Sequence, residues 1–373
     1  MTARSPLLDL PRVVANEEGP DVGIPAHHGD PLAEQRRADR SAAVVDRSNR
    51  EVIAVPGDDR LSWLHLLLSQ HVSELPDGEG TEALVLDMNG RVQHHAQLAH
   101  VDGTVWLDVE PGTGADLLAY LESMRFWSKV EPRAATDEMA VLSVVGPDTA
   151  AVLAKAGVPV PDREYAVAAL PGGGVVRRMP GPSKDAADLL VPRAALGEWW
   201  SRLREAGAAA AGTLAYEALR VAALRPRLGV DTDERTIPHE VGWIPSAVHL
   251  SKGCYRGQET VARVANLGRP PRRLALLHTE SGDDEPLPPG DPVLLGTRTV
   301  GRIGTAVLHH ELGGVALALV KRSVPVDAEL VAGGSDERGD RSTAVRIDPA
   351  SVAEDDDGER PVRAARARVG RVR

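Results

Sequence analysis

The residues with the clearest chemical potential form the run Lys252-Gly253-Cys254-Tyr255-Arg256-Gly257-Gln258-Glu259, and Cys254 is the only cysteine in the chain. Glycines on both sides let the backbone turn tightly beside the thiol. Lys252 and Arg256 lie two residues from Cys254, and neighbouring cations favour the thiolate form of a cysteine. The pattern indicates a reactive thiol. A buried structural cysteine beside a turn is the alternative, because free cysteine is among the most buried residue types.

Short β-type runs and helical periods precede this motif. A hairpin is predicted by Glu82–Asp87, the turn Asn89-Gly90 and Arg91–Ala99, because Asn-Gly between alternating runs favours a tight turn. A third strand at Val105–Val109 extends the hairpin into a meander. Helical periods before and after these strands indicate helices on one face of an antiparallel sheet. A similar order recurs less clearly between residues 146 and 225.

From about residue 270 the pattern becomes a series of short strands separated by Gly and Pro turns, which suggests a small barrel or sandwich. We therefore predict an α+β fold, in which two antiparallel-sheet and helix units are followed by a small C-terminal β-barrel. The predicted boundaries are an irregular leader over 1–40, a first α+β unit over 41–146, a second over 147–268 that carries the cysteine motif, the barrel over 269–347 and a disordered charged tail over 348–373.

The composition excludes several classes of partner. A formal net charge of −11 argues against direct nucleic-acid binding, because neutralising phosphates needs a basic surface. One cysteine permits no internal disulfide, which fits a reducing cytosol. The N-terminus lacks the apolar run of a signal peptide, and no apolar stretch reaches the ~18 residues of a membrane span. We therefore expect a cytoplasmic protein with no membrane partner.

The cysteine motif resembles a known family signature. Lys-Gly-Cys-Tyr-x-Gly-Gln-Glu is typical of the YgfZ-type folate-binding proteins, which are relatives of the aminomethyltransferase (T-protein) of the glycine cleavage system. Residues Thr236–Glu240 resemble the Thr-Ile-Pro-x-Glu segment that precedes this signature, and Arg272-Arg273-Leu274 follow it in family order. The resemblance covers roughly residues 41–347 and implies the same layout, a folate-binding N-terminal part and a C-terminal β-barrel.

The resemblance also implies a cofactor and partners. The cofactor would be tetrahydrofolate or another reduced folate, and the protein would support assembly or repair of iron–sulfur clusters, and through them tRNA-modifying cluster enzymes. Cys254 would act as nucleophile, transient cluster ligand or redox partner, activated by Lys252. Because a cluster usually takes four ligands, one thiol would share it with an assembly or client protein, or with a small thiol.

A folate presents a flat pterin with amide-like edges and an anionic tail, so it needs carboxylates, backbone groups and a cation. Arg220 is the leading candidate for that cation, since it resembles the arginine that opens a family segment, although Ala222 and Leu224 replace the glutamate and glycine that follow it in the T-protein. The predicted cofactor-binding residues are Arg220, Asp188, Asn89, Tyr255, Gln258 and Glu240.

Two departures from the T-protein bear on activity. Its first hairpin carries paired aspartates, the second of which is the acid/base for aminomethyl transfer, whereas this chain has His94 and His95 there. An imidazole can handle a proton, but it does not hold a cationic amine as a carboxylate does. Lys184 replaces the first glutamate of a second T-protein segment, while Asp188 retains a carboxylate at the second position. Aminomethyl transfer is therefore not expected, and whether the chain is an enzyme stays open.

Two other functions remain as alternatives, a folate-dependent aminomethyl or one-carbon transferase and a folate sensor without chemistry. The histidines of the predicted hairpin strand, with His100 nearby, also raise the question of a metal. Successive strand residues point to opposite faces, so His94 and His95 do not enter one site together. No cysteine or carboxylate is spaced to complete a tetrahedral set, and we expect no metal site.

Overall fold

The computed structural model describes residues 4–183, 185–280, 286–336, 339–340 and 342–352. Lys184 and residues 353–373 of the predicted charged tail lie outside these ranges. Within them the α-helices are α1 (Pro31–Arg40), α2 (Arg60–Leu67), α3 (Gly114–Ser123), α4 (Thr149–Lys155), α5 (Leu196–Glu205), α6 (Thr213–Ala222) and α7 (Gln258–Leu267). Short 3-10 helices occupy Pro6–Asp9, Arg193–Ala195, Pro238–Glu240 and Pro349–Val352.

The strands of the same ranges belong to several small sheets and one barrel. They are β1 (Val14–Ala15), β2 (Pro25–His27), β3 (Ala43–Asp46), β4 (Glu51–Pro56), β5 (Glu79–Leu86), β6 (Val92–Val101), β7 (Thr104–Val109), β8 (Arg133–Ala134), β9 (Met139–Val145), β10 (Val167–Ala169), β11 (Val175–Arg177), β12 (Ala187–Pro192), β13 (Ala209–Ala211), β14 (Arg272–Thr279), β15 (Pro292–Leu295), β16 (Arg298–His309), β17 (Gly313–Lys321), β18 (Leu330–Ala332), β19 (Ser335–Asp336), β20 (Gly339–Asp340) and β21 (Thr343–Ile347). No helix of the described part combines the length and the apolar character that crossing a membrane requires.

The chain divides into two compact units that alternate along the sequence. The first unit consists of Met1–Tyr216 and Pro245–Gln258, and the second consists of Glu217–Ile244 and Glu259–Arg373. The segment that carries Cys254 therefore belongs to the first unit, although part of the second unit precedes it in the sequence.

The first sheet of the first unit has the strand order β5-β6-β7-β4-β8, and its neighbouring strands are antiparallel. The predicted hairpin and meander are confirmed. The turn between β5 and β6 is held by Asp87 Oδ1, which accepts the backbone N–H of Asn89 and of Arg91, both at 2.8 Å. Helices α2 and α3 cover one face, where Leu64, Leu107 and Leu117 are fully buried.

The second sheet of this unit has the order β10-β11-β12-β9-β3-β13, in which only β13 runs parallel to its neighbour β3. Leu153 of α4 and Trp199 of α5 pack on its outer face. Its inner face meets the first sheet, because Ala54 of β4 shares one apolar cluster with Val141 of β9 and Leu190 of β12. The first unit is thus a pair of face-to-face sheets covered on their outer sides by helices.

The second unit contains a closed barrel of the order β14-β17-β16-β15-β18-β21, which confirms the predicted C-terminal β-barrel. Its interior is filled by small and branched side chains such as Ala275, Ile303 and Ala318, which are fully buried. With so few aromatic residues in the chain, alternation of these small residues lets the barrel close around a packed centre.

The leader over residues 1–40 was predicted to be mostly irregular, and that prediction is wrong for its second half. Helix α1 begins after Asp30, whose Oδ1 accepts the backbone N–H of Ala33 at 2.9 Å, and Pro31 takes the first helical position. The buried Glu34 accepts the backbone N–H of Gly212 at 2.9 Å. The helix thus packs through polar contacts, which a search for apolar periods does not detect.

Candidate functional site

The thiol loop, residues 252–257, lies immediately before α7 and carries Cys254 as a free, exposed cysteine. The alternative of a buried structural cysteine therefore does not hold. The loop is fixed to the rest of the first unit through its other residues, which are described in turn below.

Lys252 anchors the start of the thiol loop to the end of α2. Its side chain is buried, and Nζ donates hydrogen bonds to the carbonyl oxygens of His65, of Leu68 at 2.5 Å and of Gln70 at 3.2 Å. The carbonyl of His65 lies in the last turn of α2, and those of Leu68 and Gln70 follow the helix, so none of them has a partner within it. Burial lowers the pKa of Lys252 to about 8.

The three N–H donors of an ammonium group are thus all used at the end of α2. The Nζ atom also lies 5.2 Å from the centre of the Tyr255 ring. In this arrangement Lys252 holds the loop in place and donates no hydrogen bond to Cys254. Its predicted activating role would act through its charge, and it stays a prediction.

Gly257 fixes the other end of the thiol loop against the β5–β6 turn. Its φ is +83°, and a Cβ atom there would lie 2.6 Å from the carbonyl oxygen of Asp87 and 2.8 Å from Cα of Gly90. Only glycine allows this approach. The contact places the thiol loop on the hairpin turn that carries the exposed Asn89, one of the predicted cofactor-binding residues.

The remaining loop residues complete the attachment. The exposed Arg256 forms a side-chain hydrogen bond with Tyr120 of α3. Burial raises the pKa of Tyr120, and the charge and hydrogen bond of Arg256 oppose part of that rise. Gln258 Nε2 donates to the carbonyl oxygen of Lys252 at 3.3 Å, so Gln258 closes the loop on itself. Tyr255 is buried, and burial raises its pKa to about 12. The thiol is therefore presented on a loop held by α2, α3 and the β5–β6 turn.

A second polar site lies between the two sheets of the first unit. We call it the polar layer, and it consists of Arg50, Glu82, His95, Gln97, Asp108, Glu110, Ser143, Tyr165, Arg177 and Asp188. Tyr165 bonds to Glu82 across the gap between the sheets, and Arg177 bonds across it to Asp108 and Gln97; the gap is otherwise filled by apolar side chains. It includes Asp188, the predicted folate carboxylate.

Asp188 is held on both oxygen atoms. Oδ1 accepts from Ser143 Oγ at 2.6 Å, and Oδ2 is 3.2 Å from Nη2 of Arg177. Arg177 is fully buried, and its Nη2 also contacts Asp108 and, at 2.8 Å, Oε1 of Gln97. Burial alone would raise the pKa of Asp108, but the nearby guanidinium groups of Arg177 and Arg50 hold it below its usual value.

His94 and His95 occupy opposite faces of β6, as the alternation of a strand predicts. His95 lies in the polar layer, with Nε2 2.9 Å from Glu82 Oε2. His94 pairs across the hairpin with Val85, and its Nδ1 is buried without a hydrogen-bond partner among the described residues. Burial lowers the pKa of His94 below its ordinary value, with a smaller opposing effect from Asp116 of α3.

Arg220 and Glu240, two more predicted folate contacts, belong to the second unit and are engaged there. Arg220 donates to both oxygens of Glu217, to Asp231 Oδ2, to the carbonyl of Arg225 and to Thr305 Oγ1. A guanidinium group has five N–H donors, so all of them are used. Glu240 accepts from Arg272 at 2.8 Å through each carboxylate oxygen. Their predicted contact with folate stays a prediction, and it would require replacement of bonds already present.

Sequence reasoning missed Glu82 and Arg177, two buried charged residues on strands of the inner sheet faces. The available signal was a charge at an inward position of an otherwise apolar strand, which is costly unless it is paired. It also missed three histidines beside the Lys252 anchor. The ring of His71 lies 4.7 Å from that of His65 and 5.4 Å from that of His249, measured between ring centres.

The sequence is similar to a plant protein and to several bacterial aminomethyltransferases. The chain is 27% identical to a chloroplastic protein of Arabidopsis thaliana with a provisional transferase name, over 71% of this chain and 62% of that protein. It is 29% identical to an aminomethyltransferase of Nitrosococcus oceani, over 59% of this chain and 62% of that protein. The chain thus spans somewhat under two thirds of the length of these relatives. An aminomethyltransferase of Rubrobacter xylanophilus is 28% identical over 80% of this chain and 81% of its own length.

The fold has a solved counterpart in the glycine cleavage system aminomethyltransferase T of Bartonella henselae. That structure superposes with a TM-score of 0.79 at 20% identity, and the match covers 91% of this chain and 94% of that chain. The family profile described as the GCVT N-terminal domain matches residues 27–252, which is more than half of the 373 residues. By this match the chain belongs to the GCVT N-terminal domain family.

Proposed function

We propose that this protein is a reduced-folate-binding protein of the YgfZ type that supports assembly or repair of iron–sulfur clusters through the thiol of Cys254. The observation that carries the proposal is the thiol loop. Cys254 is exposed, while its neighbours Lys252 and Gly257 are buried against α2 and the β5–β6 turn. A cysteine presented in this way is accessible to a partner and is held in a fixed direction.

The first unit offers side chains of the kinds that a pterin needs. Asn89 offers an exposed amide at the hairpin turn and Tyr255 offers an aromatic ring beside the thiol, whereas Asp188 would offer its carboxylate only by exchanging the bonds that it makes to Ser143 and Arg177. A pterin edge offers adjacent donors and acceptors that match carboxylate and amide groups. The folate would supply a carrier for one-carbon groups. For the anionic tail, the exposed guanidinium of Arg256 is better placed chemically than Arg220, whose donors are all used.

The chemistry at Cys254 would be ligand exchange or redox exchange with a partner. One thiolate gives one of the four ligands that an iron–sulfur cluster usually takes, so an assembly or client protein must supply the others. We keep the cytoplasm as the proposed compartment on the sequence grounds given above.

The test has two parts. A calorimetric titration of the purified protein with tetrahydrofolate and 5-formyltetrahydrofolate, under reducing and anaerobic conditions, should show saturable binding near micromolar concentration. In cells, Cys254→Ser should lower the activity of iron–sulfur enzymes, whereas the exposed neighbour variant Ser251→Ala should not. Absence of binding up to millimolar folate would refute the folate site. Full cluster-enzyme activity in Cys254→Ser would refute the thiol function and favour a folate sensor.

A folate-dependent aminomethyl transferase is the second candidate. The relatives from Nitrosococcus oceani and Rubrobacter xylanophilus bear that name, and the family match supports it. His94 and His95 at the positions of the paired aspartates count against it. Turnover of an aminomethyl donor with tetrahydrofolate would establish this candidate, and its absence with bound folate would exclude it.

A further inference from the structure

The most exposed large apolar side chains of the described residues lie on the elements that hold the thiol loop. Trp127 is 97% exposed, Phe126 76%, Met88 72% and Leu66 64%. Leu66 belongs to α2, Met88 to the β5–β6 turn, and the two aromatic residues to the segment after α3. Single apolar residues on a surface are ordinary, but a group of them on one surface marks a site of protein contact. This group lies on the supports of the loop that presents Cys254.

The aromatic loop, residues 125–129, is fixed to α2 at both ends. At its start, Trp63 Nε1 of α2 donates to the carbonyl oxygen of Met124 at 2.9 Å. At its end, the backbone N–H of Lys129 donates to Oδ2 of Asp59, the residue before α2, at 2.7 Å. A segment held in this way loses little conformational freedom when it binds a partner, which favours tight association.

The aromatic pair occupies the two central positions of a tight turn. The backbone N–H of Ser128 donates to the carbonyl oxygen of Arg125 at 2.9 Å, and Phe126 and Trp127 lie between these two residues. Phe126 has a φ of +42°, a left-handed conformation that a bulky residue rarely adopts. Strained residues of this kind concentrate at functional sites, where the surrounding structure holds them. The turn therefore exposes both rings at a cost in backbone energy.

The same elements carry a local excess of positive charge. Within the described ranges, the exposed cations on them are Arg91, Arg125, Lys129 and Arg256. Helix α3 carries the exposed carboxylates Asp116 and Glu122. The net charge of the chain is −11, so this surface differs in sign from the chain as a whole. Complementary charge guides a partner to a surface and rejects partners of like charge.

We propose that Leu66, Met88, the aromatic loop and the thiol loop form one docking surface for the protein that exchanges with Cys254. That partner has a negatively charged face with an apolar recess, which receives Phe126 and Trp127. This inference rests on the proposed function, because it takes the partner to be the protein that contacts the thiol. Tryptophan and arginine are among the residues that most often supply binding energy at the centre of such interfaces.

One partner can cover the whole docking surface. Tyr120, which is bonded to Arg256 of the thiol loop, lies four residues before Met124, or about 6 Å along the axis of α3. Two aromatic side chains bury about 300–500 Å². A specific interface buries about 800 Å² on each partner, so the remaining area falls on the groups beside the aromatic loop, including the thiol loop.

Two other occupants fit the docking surface less well. In a two-fold dimer a surface meets its own copy, so the cations named above would face one another. An anionic lipid surface would be repelled by a chain with a net charge of −11. A protein with a negatively charged face avoids both conflicts at this site.

The first experiment identifies the partner by photo-cross-linking in cells. A photo-reactive phenylalanine derivative replaces Trp127, Gly253 or Val22 in the full chain. Gly253 lies beside Cys254, is exposed and has room for a side chain, and Val22 is an exposed apolar residue of another segment. The same acidic protein should be cross-linked from positions 127 and 253 and not from position 22. Different proteins from positions 127 and 253, or none from position 127, would overturn the inference.

The second experiment measures the affinity of the purified partner for the full chain. Phe126→Ala and Trp127→Ala should each weaken binding about tenfold or more, the loss expected at a central aromatic residue of an interface. Val22→Ala is the matched control and should bind like the wild type, and all melting temperatures should stay unchanged because these side chains are exposed. Association should slow as the salt concentration rises from about 0.05 to 0.5 M. Wild-type affinity in both aromatic variants would refute the docking surface.

The outcomes separate this inference from the proposed function. If cluster enzymes stay fully active in Cys254→Ser while partner binding still requires Trp127, the thiol function fails and the docking surface stands. If Cys254→Ser lowers their activity while Trp127→Ala binds the partner normally, the proposed function stands and the docking surface fails. Cross-linking to a second copy of this chain, or sedimentation with phosphatidylserine vesicles that depends on Trp127, would identify a different occupant and contradict the inference.

Discussion

The two glycines of the thiol loop form a matched pair for testing how the loop is held. At position 257 an alanine would have φ near +83°, which costs an L-residue about 1–2 kcal/mol. Its Cβ atom would also overlap the Asp87 carbonyl and Gly90 Cα, at 2.6 and 2.8 Å, and overpacking adds about 1–3 kcal/mol. At position 253 a Cβ atom meets nothing within 4 Å, and the backbone is not left-handed.

We therefore expect Gly257→Ala to lower the free energy of unfolding of the first unit by about 2–5 kcal/mol, and Gly253→Ala to change it by about 0.5 kcal/mol or less. In thermal unfolding the first variant should melt roughly 5–15 °C below the wild type, given the usual scaling for a unit of this size. Trypsin cleavage after Arg256 should become faster in Gly257→Ala, because the loop loses its contact with the hairpin turn.

The comparison between the two variants decides the outcome. If Gly257→Ala and Gly253→Ala change the free energy of unfolding equally, the effect comes only from replacing a flexible glycine. The close contact of Gly257 with the β5–β6 turn would then be refuted. A stable Gly257→Ala protein with unchanged trypsin cleavage would lead to the same conclusion.

Three further perturbations address the other parts of the molecule. Lys252→Met should cost about 2 kcal/mol in urea unfolding because three carbonyls at the end of α2 lose a charged donor, while the exposed Lys129→Met should cost nothing measurable. Burial lowers the pKa of His94 in the folded state below its ordinary 6.5. As the pH falls from 7 to 5, the unfolded chain therefore binds a proton at His94 more readily than the folded protein does. The wild type should lose more stability over that range than His94→Gln. Arg220→Lys should destabilise the second unit by about 2–4 kcal/mol, because an ammonium has three N–H donors in place of the five that the guanidinium uses and leaves buried acceptors without a partner. An unchanged melting temperature would contradict this expectation.

Much of the fold could be predicted from local sequence signals. Asn89-Gly90 determines the hairpin because few residues tolerate its backbone angles, and short strands at regular spacing indicate the barrel. Helix α1 was missed because it packs through Glu34 and Gln35 and not through an apolar stripe. Its N-terminal signal, Asp30-Pro31, was present in the sequence.

The candidate site was predictable only in part. The motif around Cys254 identifies the loop by residue type, yet the partners of Lys252 lie 182 to 187 residues earlier in the chain. No local pattern records such a contact. Glu82 is 13 residues from His95, and the pair forms only because β5 and β6 are hydrogen-bonded in one particular register. Long-range pairs of this kind depend on topology, which residue spacing does not encode.

The alternation of the two units along the chain has a consequence for biosynthesis. Residues 245–258 return to the first unit only after residues 217–244 have been laid down for the second. The ribosome synthesises the N-terminal segment first. The carbonyls at the end of α2 therefore have no contact with Lys252 until more than two thirds of the polypeptide has been made. A contiguous fragment ending at residue 216 would contain both sheets but not Cys254, so truncation at that point cannot isolate the first unit together with its thiol loop.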